Sequence, residues 1–208
     1  MTAGSGIVVG IDPSLTSTGV AILDHGQPVA LNCFGKKLAT QAGYTARADR
    51  MTFTLSQVLR AVPRDAELVV IEGVAYQPGH PDENGRRQMS HLDVDVFGLW
   101  WHIFTHLHAR PVPIAVIPPL TLKVWATGKA AEKINGRLQR TTKADMLEAA
   151  REQFPGVTIR NADVADALHA AACGASRLGH SIPTPMRRHR FNVDAVAWPT
   201  LPTREGHA

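Results

Sequence analysis

The chain has 208 residues, 44% of them hydrophobic and 19% charged, and 22 basic against 18 acidic side chains leave a net charge of +4. That length suits one domain with a tail, and the apolar share is enough for a core. There is no run of about 18 apolar residues to span a membrane, and Met1 to Gly6 is too short and polar for a signal peptide, so a soluble, cytoplasmic protein is expected.

Ile7, Val8, Val9 and Ile11 predict a buried strand over about 7–12 that ends on Asp12. A turn rich in Ser and Thr leads to a second strand over about 17–23. A tight turn at His25-Gly26 leads to a third over 28–34, so the opening reads as an antiparallel meander. Met51, Leu55, Val58, Leu59 and Val62 share a helix face that Pro63 closes. Glu67 to Ile71 then form a strand ending at Glu72-Gly73, followed by a polar loop, Gln77 to Gln88, whose Pro and Gly residues mark it as exposed.

The helix predicted over 91–109 carries two apolar stripes. Leu92, Val96, Leu99, Ile103 and Leu107 form one; Phe97, Trp101 and Phe104 form the other, on a different side. One stripe can pack on the sheet, while the other needs a partner, and a second copy of the chain is the economical candidate. Pro113 to Ile117 is a fifth strand. Thr142 opens a helix with a Thr-x-x-Asp cap through Asp145, and Leu147, Ala150 and Phe154 make its inner face. The last helix spans about 163–178. Beyond it the composition shifts to Pro183, Pro185, Pro199 and Pro202 with Arg187, Arg188 and Arg190, giving a folded body at 1–179 and an extended or partly disordered tail at 180–208, which Phe191 and Trp198 could anchor. Cys33 and Cys173 lie in apolar stretches without metal-ligand spacing and read as reduced core residues.

The charge is concentrated. From Lys123 to Lys143 there are six basic residues, Lys123, Lys129, Lys133, Arg137, Arg140 and Lys143, against Glu132 alone, an excess larger than that of the whole chain. With Gly128, Gly136 and poor helical periodicity, this stretch reads as a mobile basic loop whose cations could meet phosphates.

Four acids occupy comparable places. Asp12 and Glu72 end strands, and Asp163 and Asp166 stand three apart at the start of the last helix, on one face. Each alone has a structural explanation: a turn, a solvated strand end, an N-cap and a helix-dipole partner. Together they would repel strongly without cations among them. Hard oxygen ligands of this kind select Mg²⁺ or Mn²⁺, and four acids suffice for two ions. His169, one turn beyond Asp166, reads as a packed helical histidine.

The sequence Gly10-Ile11-Asp12-Pro13, then Thr18-Gly19, Val69-Val70-Ile71-Glu72 and Asp163-Val164-Ala165-Asp166-Ala167-Leu168, resembles the RuvC-type Holliday-junction resolvases of the RNase H-like superfamily, over about 7–178. The resemblance implies an α/β, RNase H-like fold: a five-stranded mixed sheet, its first three strands an antiparallel meander, flanked by helices. It also implies a metal-dependent endonuclease that cuts four-way junctions or other branched DNA as a homodimer, leaving a 5′ phosphate and a 3′ hydroxyl. Asp12, Glu72, Asp163 and Asp166 would hold two Mg²⁺ or Mn²⁺ ions, and Lys123 and Lys143 would lie near the scissile phosphate. Lys129, Lys133, Arg137 and Arg140 would bind DNA, Tyr76 stands near the family's junction-probing aromatic, and the stripe of Phe97, Trp101 and Phe104 would be the dimer interface. The segment Ala130 to Thr141, longer than in bacterial enzymes, and the Arg-rich tail are closer to phage-encoded relatives. The expected setting is then the cytoplasm of a bacterial cell or phage-infected host.

Two other classes share parts of this pattern. An actin-like or sugar-kinase-type ATPase also opens with an acid in a strand–turn–strand loop, but it needs a duplicated half and a Gly-rich adenosine loop for which this length leaves no room, so no nucleotide cofactor is expected. A noncatalytic branched-DNA-binding protein on a nuclease scaffold would keep the basic loop and lose acids, whereas all four are present.

Overall fold

A computed structural model describes residues 5–39, 41–74, 90–134, 137–184, 193 and 196–200. Strand β1 (Ile7–Asp12) sends its side chains alternately to two helical layers, and that alternation places the acids. Val9 and Ile11 point to one layer, while Val8, Gly10 and Asp12 point to the other. β2 (Thr18–Asp24) pairs antiparallel with β1, and β3 (Gln27–Phe34) pairs antiparallel with β2. The β2–β3 turn has His25 and Gly26 both at positive φ, 47° and 84°, the conformation that two-residue hairpins favour. β4 (Leu68–Glu72) runs parallel to β1, and β5 (Ile114–Ile117) parallel to β4. The sheet order β3-β2-β1-β4-β5 is the five-stranded mixed sheet expected from the sequence.

Helices α1 (Tyr44–Ala61) and α2 (His91–His108) cover the face of Val9, Ile11, Val20, Val69 and Ile71. Asp95 of α2 is buried and joins them, accepting from Arg47 Nε at 2.8 Å, Arg47 Nη2 at 2.5 Å and Arg50 Nη2 at 2.9 Å. This network explains why α1 starts well before Met51: its first two turns are held by charge instead of apolar contacts. Helices α3 (Pro119–Thr127), α4 (Lys143–Gln153) and α5 (Ala162–Arg177) cover the other face. Thr142 and Asp145 form the expected reciprocal cap of α4.

α5 lies directly against bare backbone. A Cβ on Gly10 would fall 1.9 Å from the Ala167 carbonyl oxygen, and one on Gly19 would fall 2.1 Å from that of Asp163. The buried residues of α5 are correspondingly rich in small side chains: Ala165, Ala167, Ala170, Ala171, Ala172, Gly174 and Ala175 stand among them, beside the larger Val164, Leu168, His169 and Cys173. Helix and sheet can meet this closely only where both lack bulk.

Several expectations are corrected. The segment before Lys143 is not an irregular loop but a two-stranded hairpin, β6 (Ala131–Ile134) and β7 (Arg137–Arg140). Its base is clamped, since the hydroxyls of Thr127 and Thr141 both donate to the Lys129 carbonyl at 2.7 Å. α3 was not anticipated at all. Leu92, in the first turn of α2, is exposed instead of facing the core, and the buried stripe begins further along the helix with Leu99, Ile103 and Leu107. Cys33 is exposed on edge strand β3, with Sγ 3.1 Å from Ser17 Oγ, while Cys173 is buried. In the described part of the tail, Ala197 bridges to Val116 at the sheet edge and the Trp198 indole donates to the Val193 carbonyl at 3.0 Å. Phe191, Arg187, Arg188 and Arg190 lie outside the described residues. Among the described residues no helix is long and apolar enough to cross a membrane.

The close approach at Gly10 is testable. Since the obstructing atoms are helix backbone, Gly10→Ala must displace α5. The expected cost is about 3 kcal/mol or more, seen as a fall in Tm of at least about 6 °C for a chain of this size. A parent-like Tm in calorimetry would overturn the packing account.

Candidate metal centre

The acids converge where β1 and β4 end, on the face that α5 covers. Period two puts Asp12 in line with Val8 and Gly10, and Glu72 in line with Leu68 and Val70. After Asp12 the turn is closed by Thr18, whose buried hydroxyl donates to the Ser14 carbonyl at 2.5 Å and accepts from the Ser14 N–H at 3.0 Å. Pro13 carries no N–H to continue the ladder. From the helical side, Asn161 caps α5 by accepting from the Val164 N–H at 2.9 Å, which sets Asp163 and Asp166 in the opening turns. Asp163 is therefore not the N-cap.

Carboxylate oxygens of Asp12, Glu72 and Asp166 lie within 4.8 Å of one another. Asp163 stands beside this trio and accepts from the Lys143 ammonium at 2.6 Å. Lys123 and Lys143 line the same cleft, of about 500 Å³, with Asp12, Glu72 and Asp166. Its other wall is formed by Asp93, Val96, Phe97 and Trp100 of α2.

Burial and mutual repulsion leave the acids proton-hungry. Burial, then the charge of Asp166, pushes Glu72 up to about 7. Burial, then the charge of Asp12, pushes Asp166 up to about 7. Asp12 is raised well above its ordinary range by burial first and then by Glu72, with which it shares a hydrogen bond. Lys123 and Lys143 partly offset this at Glu72 and Asp166. In addition, Asp166 Oδ1 is buried without a hydrogen-bond partner. A cluster of hard oxygens carrying excess negative charge and an orphaned acceptor fits a divalent cation such as Mg²⁺ or Mn²⁺.

The other sequence-predicted residues fall in different places. Lys133, Arg137 and Arg140 are exposed on the hairpin, and Lys129 pairs with Glu132. Tyr76 lies outside the described residues. Trp101 is exposed on α2, with Phe97 and Phe104 half-buried. His169 is fully buried and its Nε2 bonds the Met146 carbonyl at 3.0 Å, a packed histidine. Trp100 was missed: it belongs to neither predicted stripe, yet its indole donates to the Glu72 carbonyl at 2.8 Å. Its spacing from Phe97, Ile103 and Leu107 is the signal that could have revealed a buried position.

The architecture is the RuvC-like α/β fold. Thermus thermophilus RuvC superposes with a TM-score of 0.56 at 20% identity, over 85% of this chain and 99% of that one. T. thermophilus RuvC in complex with a Holliday junction substrate superposes at 0.55 and 18% identity, over 85% and 98%. The yeast mitochondrial Holliday junction resolvase Ydc2 is a looser match, at 0.49 and 10% identity over 81% and 78%. No family model and no curated protein matches the sequence.

The raised acids give a signed prediction. A carboxyl whose folded pKa exceeds its unfolded value stabilises the fold at low pH and loses that contribution as pH climbs through the folded value. For Glu72 and Asp166 the window runs from their ordinary values of 4.5 and 3.8 up to about 7. Metal-free protein should therefore lose roughly a few kcal/mol between about pH 4 and 7 and little more above that. Mg²⁺ should raise Tm at pH 8 and barely at pH 5, and Asp166→Asn should flatten both responses in calorimetry. A Mg²⁺ response independent of pH would contradict the assignment.

Proposed function

We propose that this chain is a metal-dependent endonuclease that cleaves Holliday junctions and other branched DNA, acting as a homodimer and leaving a 5′ phosphate and a 3′ hydroxyl. The observation that carries this reading is the convergence of Asp12, Glu72 and Asp166 on one cleft with Lys123 and Lys143, on a RuvC-like fold. Asp12, Glu72 and Asp166, with Asp163 beside them, would hold two Mg²⁺ or Mn²⁺ ions. Such ions supply Lewis-acid activation of water and stabilisation of a departing 3′ oxygen.

The protein's own groups do the rest. Lys123 and Lys143 draw a phosphodiester toward the acids and offset charge growing on its oxygens, an electrostatic role strengthened by the partly buried site. The Lys143 ammonium is already oriented by Asp163, so it meets the phosphate without reorganising. Val96 and Phe97 close the opposite side and limit water. Lys133, Arg137 and Arg140 extend a cationic surface along the hairpin for the DNA arms, with Lys129 at its base. The outer face of α2, with Leu92, Val94 and Trp101 all more than half exposed, is the surface for a second copy. Two copies would present two clefts to two strands of one junction, in the cytoplasm of a bacterial or phage-infected cell where such DNA arises.

Cleavage of a synthetic four-way junction should require Mg²⁺ or Mn²⁺, stop in EDTA, and exceed cleavage of linear duplex. Asp12→Asn and Glu72→Gln should bind the junction and cut it at least about a thousandfold more slowly, the scale of lost electrostatic stabilisation at a buried centre. Retained Mg²⁺-dependent cutting by both variants sinks the reading. The parent should sediment as a dimer and Trp101→Glu as a monomer.

The hairpin cations are tested separately by salt. With cleavage blocked by Glu72→Gln, replacing Lys133, Arg137 and Arg140 with Ala should lower the slope of log affinity against log salt by about 2–3. An unchanged slope removes the hairpin from the DNA path.

A further inference from the structure

Trp100 is the buried centre of the cleft wall opposite α5. It is only 8% exposed, yet it lines the cleft. Its indole N–H donates to the main-chain carbonyl of Glu72 at 2.8 Å. The ring is stacked on Phe104, with centroids 5.1 Å apart and planes 8° from parallel, and meets the Trp101 ring edge-on at 5.0 Å. Packing on two sides fixes the ring, so the direction of its single N–H is fixed as well.

Glu72 needs such support. It is the last residue of β4, its carboxylate is buried among other acids, and the chain leaves the sheet immediately after it. Repulsion acting on a strand end with one free side would swing the side chain or draw the peptide outward. On the β5 side the strand end is held by the Gly73 N–H, which donates to the Ile117 carbonyl at 2.8 Å. A Cβ on Gly73 would also meet Val116 Cγ1 at 3.2 Å, so that contact is close. On the α2 side the indole of Trp100 supplies the hold. The end of β4 is thus gripped from two directions, and one grip is a side chain that bonds the Glu72 main chain and not its carboxylate.

We propose that Trp100 is a positioning residue for the acid cluster: its indole N–H holds the Glu72 peptide so that the Glu72 carboxylate can bind a divalent cation together with Asp12 and Asp166. This rests on the metal-centre reading above and extends it to a residue outside the acids.

The test removes the N–H and keeps the ring. Trp100→Phe retains an aromatic against Phe104. Where that variant melts early, replacing Trp100 with its benzothiophene isostere, in which sulfur stands for N–H, preserves volume and stacking. The readout is Mg²⁺ affinity of the DNA-free protein by calorimetric titration, alongside the Mg²⁺ dependence of junction cleavage. The half-saturating Mg²⁺ concentration should rise about five- to tenfold, the scale of one hydrogen bond. Saturating Mg²⁺ should restore most of kcat, and junction affinity in EDTA should not change. Parent-like Mg²⁺ binding by both variants, with the parent binding normally, overturns the role of Trp100 alone. A parent that binds no Mg²⁺ overturns the metal-centre reading and this proposal with it.

Discussion

The contact between α5 and the bare backbone of β1 and β2 is the constraint on which the rest of the molecule depends. Gly10 and Gly19 let the helix settle where any side chain would collide with its carbonyls. Seven of its eleven buried residues are alanine or glycine, so these positions contribute little apolar area each and the contact with the sheet is valuable mainly for its closeness. That closeness brings an acid at the start of α5 within reach of acids at the ends of β1 and β4. A helix standing a normal distance off the sheet would leave these carboxylates apart and ordinary.

The resulting cluster is locally unfavourable. Desolvation and repulsion hold Glu72 and Asp166 at about 7, where an exposed acid would titrate near 4. The two halves of the core that flank the sheet supply the stability to tolerate it. Asp163 and Asp166 gain something from the positive end of their own helix, and Lys143 engages Asp163 from outside. Charge balance is still incomplete with Lys123 and Lys143 alone, an imbalance of the kind that a divalent cation would offset.

Much of this was legible in the sequence, because the signals were local. The apolar run Ile7, Val8, Val9 and Ile11 ending on Asp12, the His25-Gly26 turn and the Thr142–Asp145 cap each depend on neighbours a few residues away. The strand ends therefore located the acids before any tertiary contact was known. What stayed hidden depended on distant partners. α3 begins at Pro119 directly after Pro118, a pair that reads as a break although proline is well suited to a first helical turn. The β6–β7 hairpin has exposed side chains on both faces of β7, so no hydrophobic alternation announced it. The early start of α1 depends on Asp95, far along the chain, and the role of Trp100 depends on a carbonyl rather than on an apolar face. Cys33 looked like core because its neighbours are apolar, yet it lies on an edge strand that solvent reaches.

The order in which the acids are made has a consequence of its own. Asp12 leaves the ribosome with the first strand and Glu72 with the fourth, but Asp166 belongs to the final helix of the fold. Until α5 is complete and docked, Gly10 and Gly19 have no helix over them and Asp12 is an ordinary hydrated carboxylate. A nascent or prematurely terminated chain that lacks α5 thus has a strand-borne pair of acids and no third. The close packing that concentrates negative charge thus makes the cluster dependent on α5, so it comes into being only once that helix is made and docked.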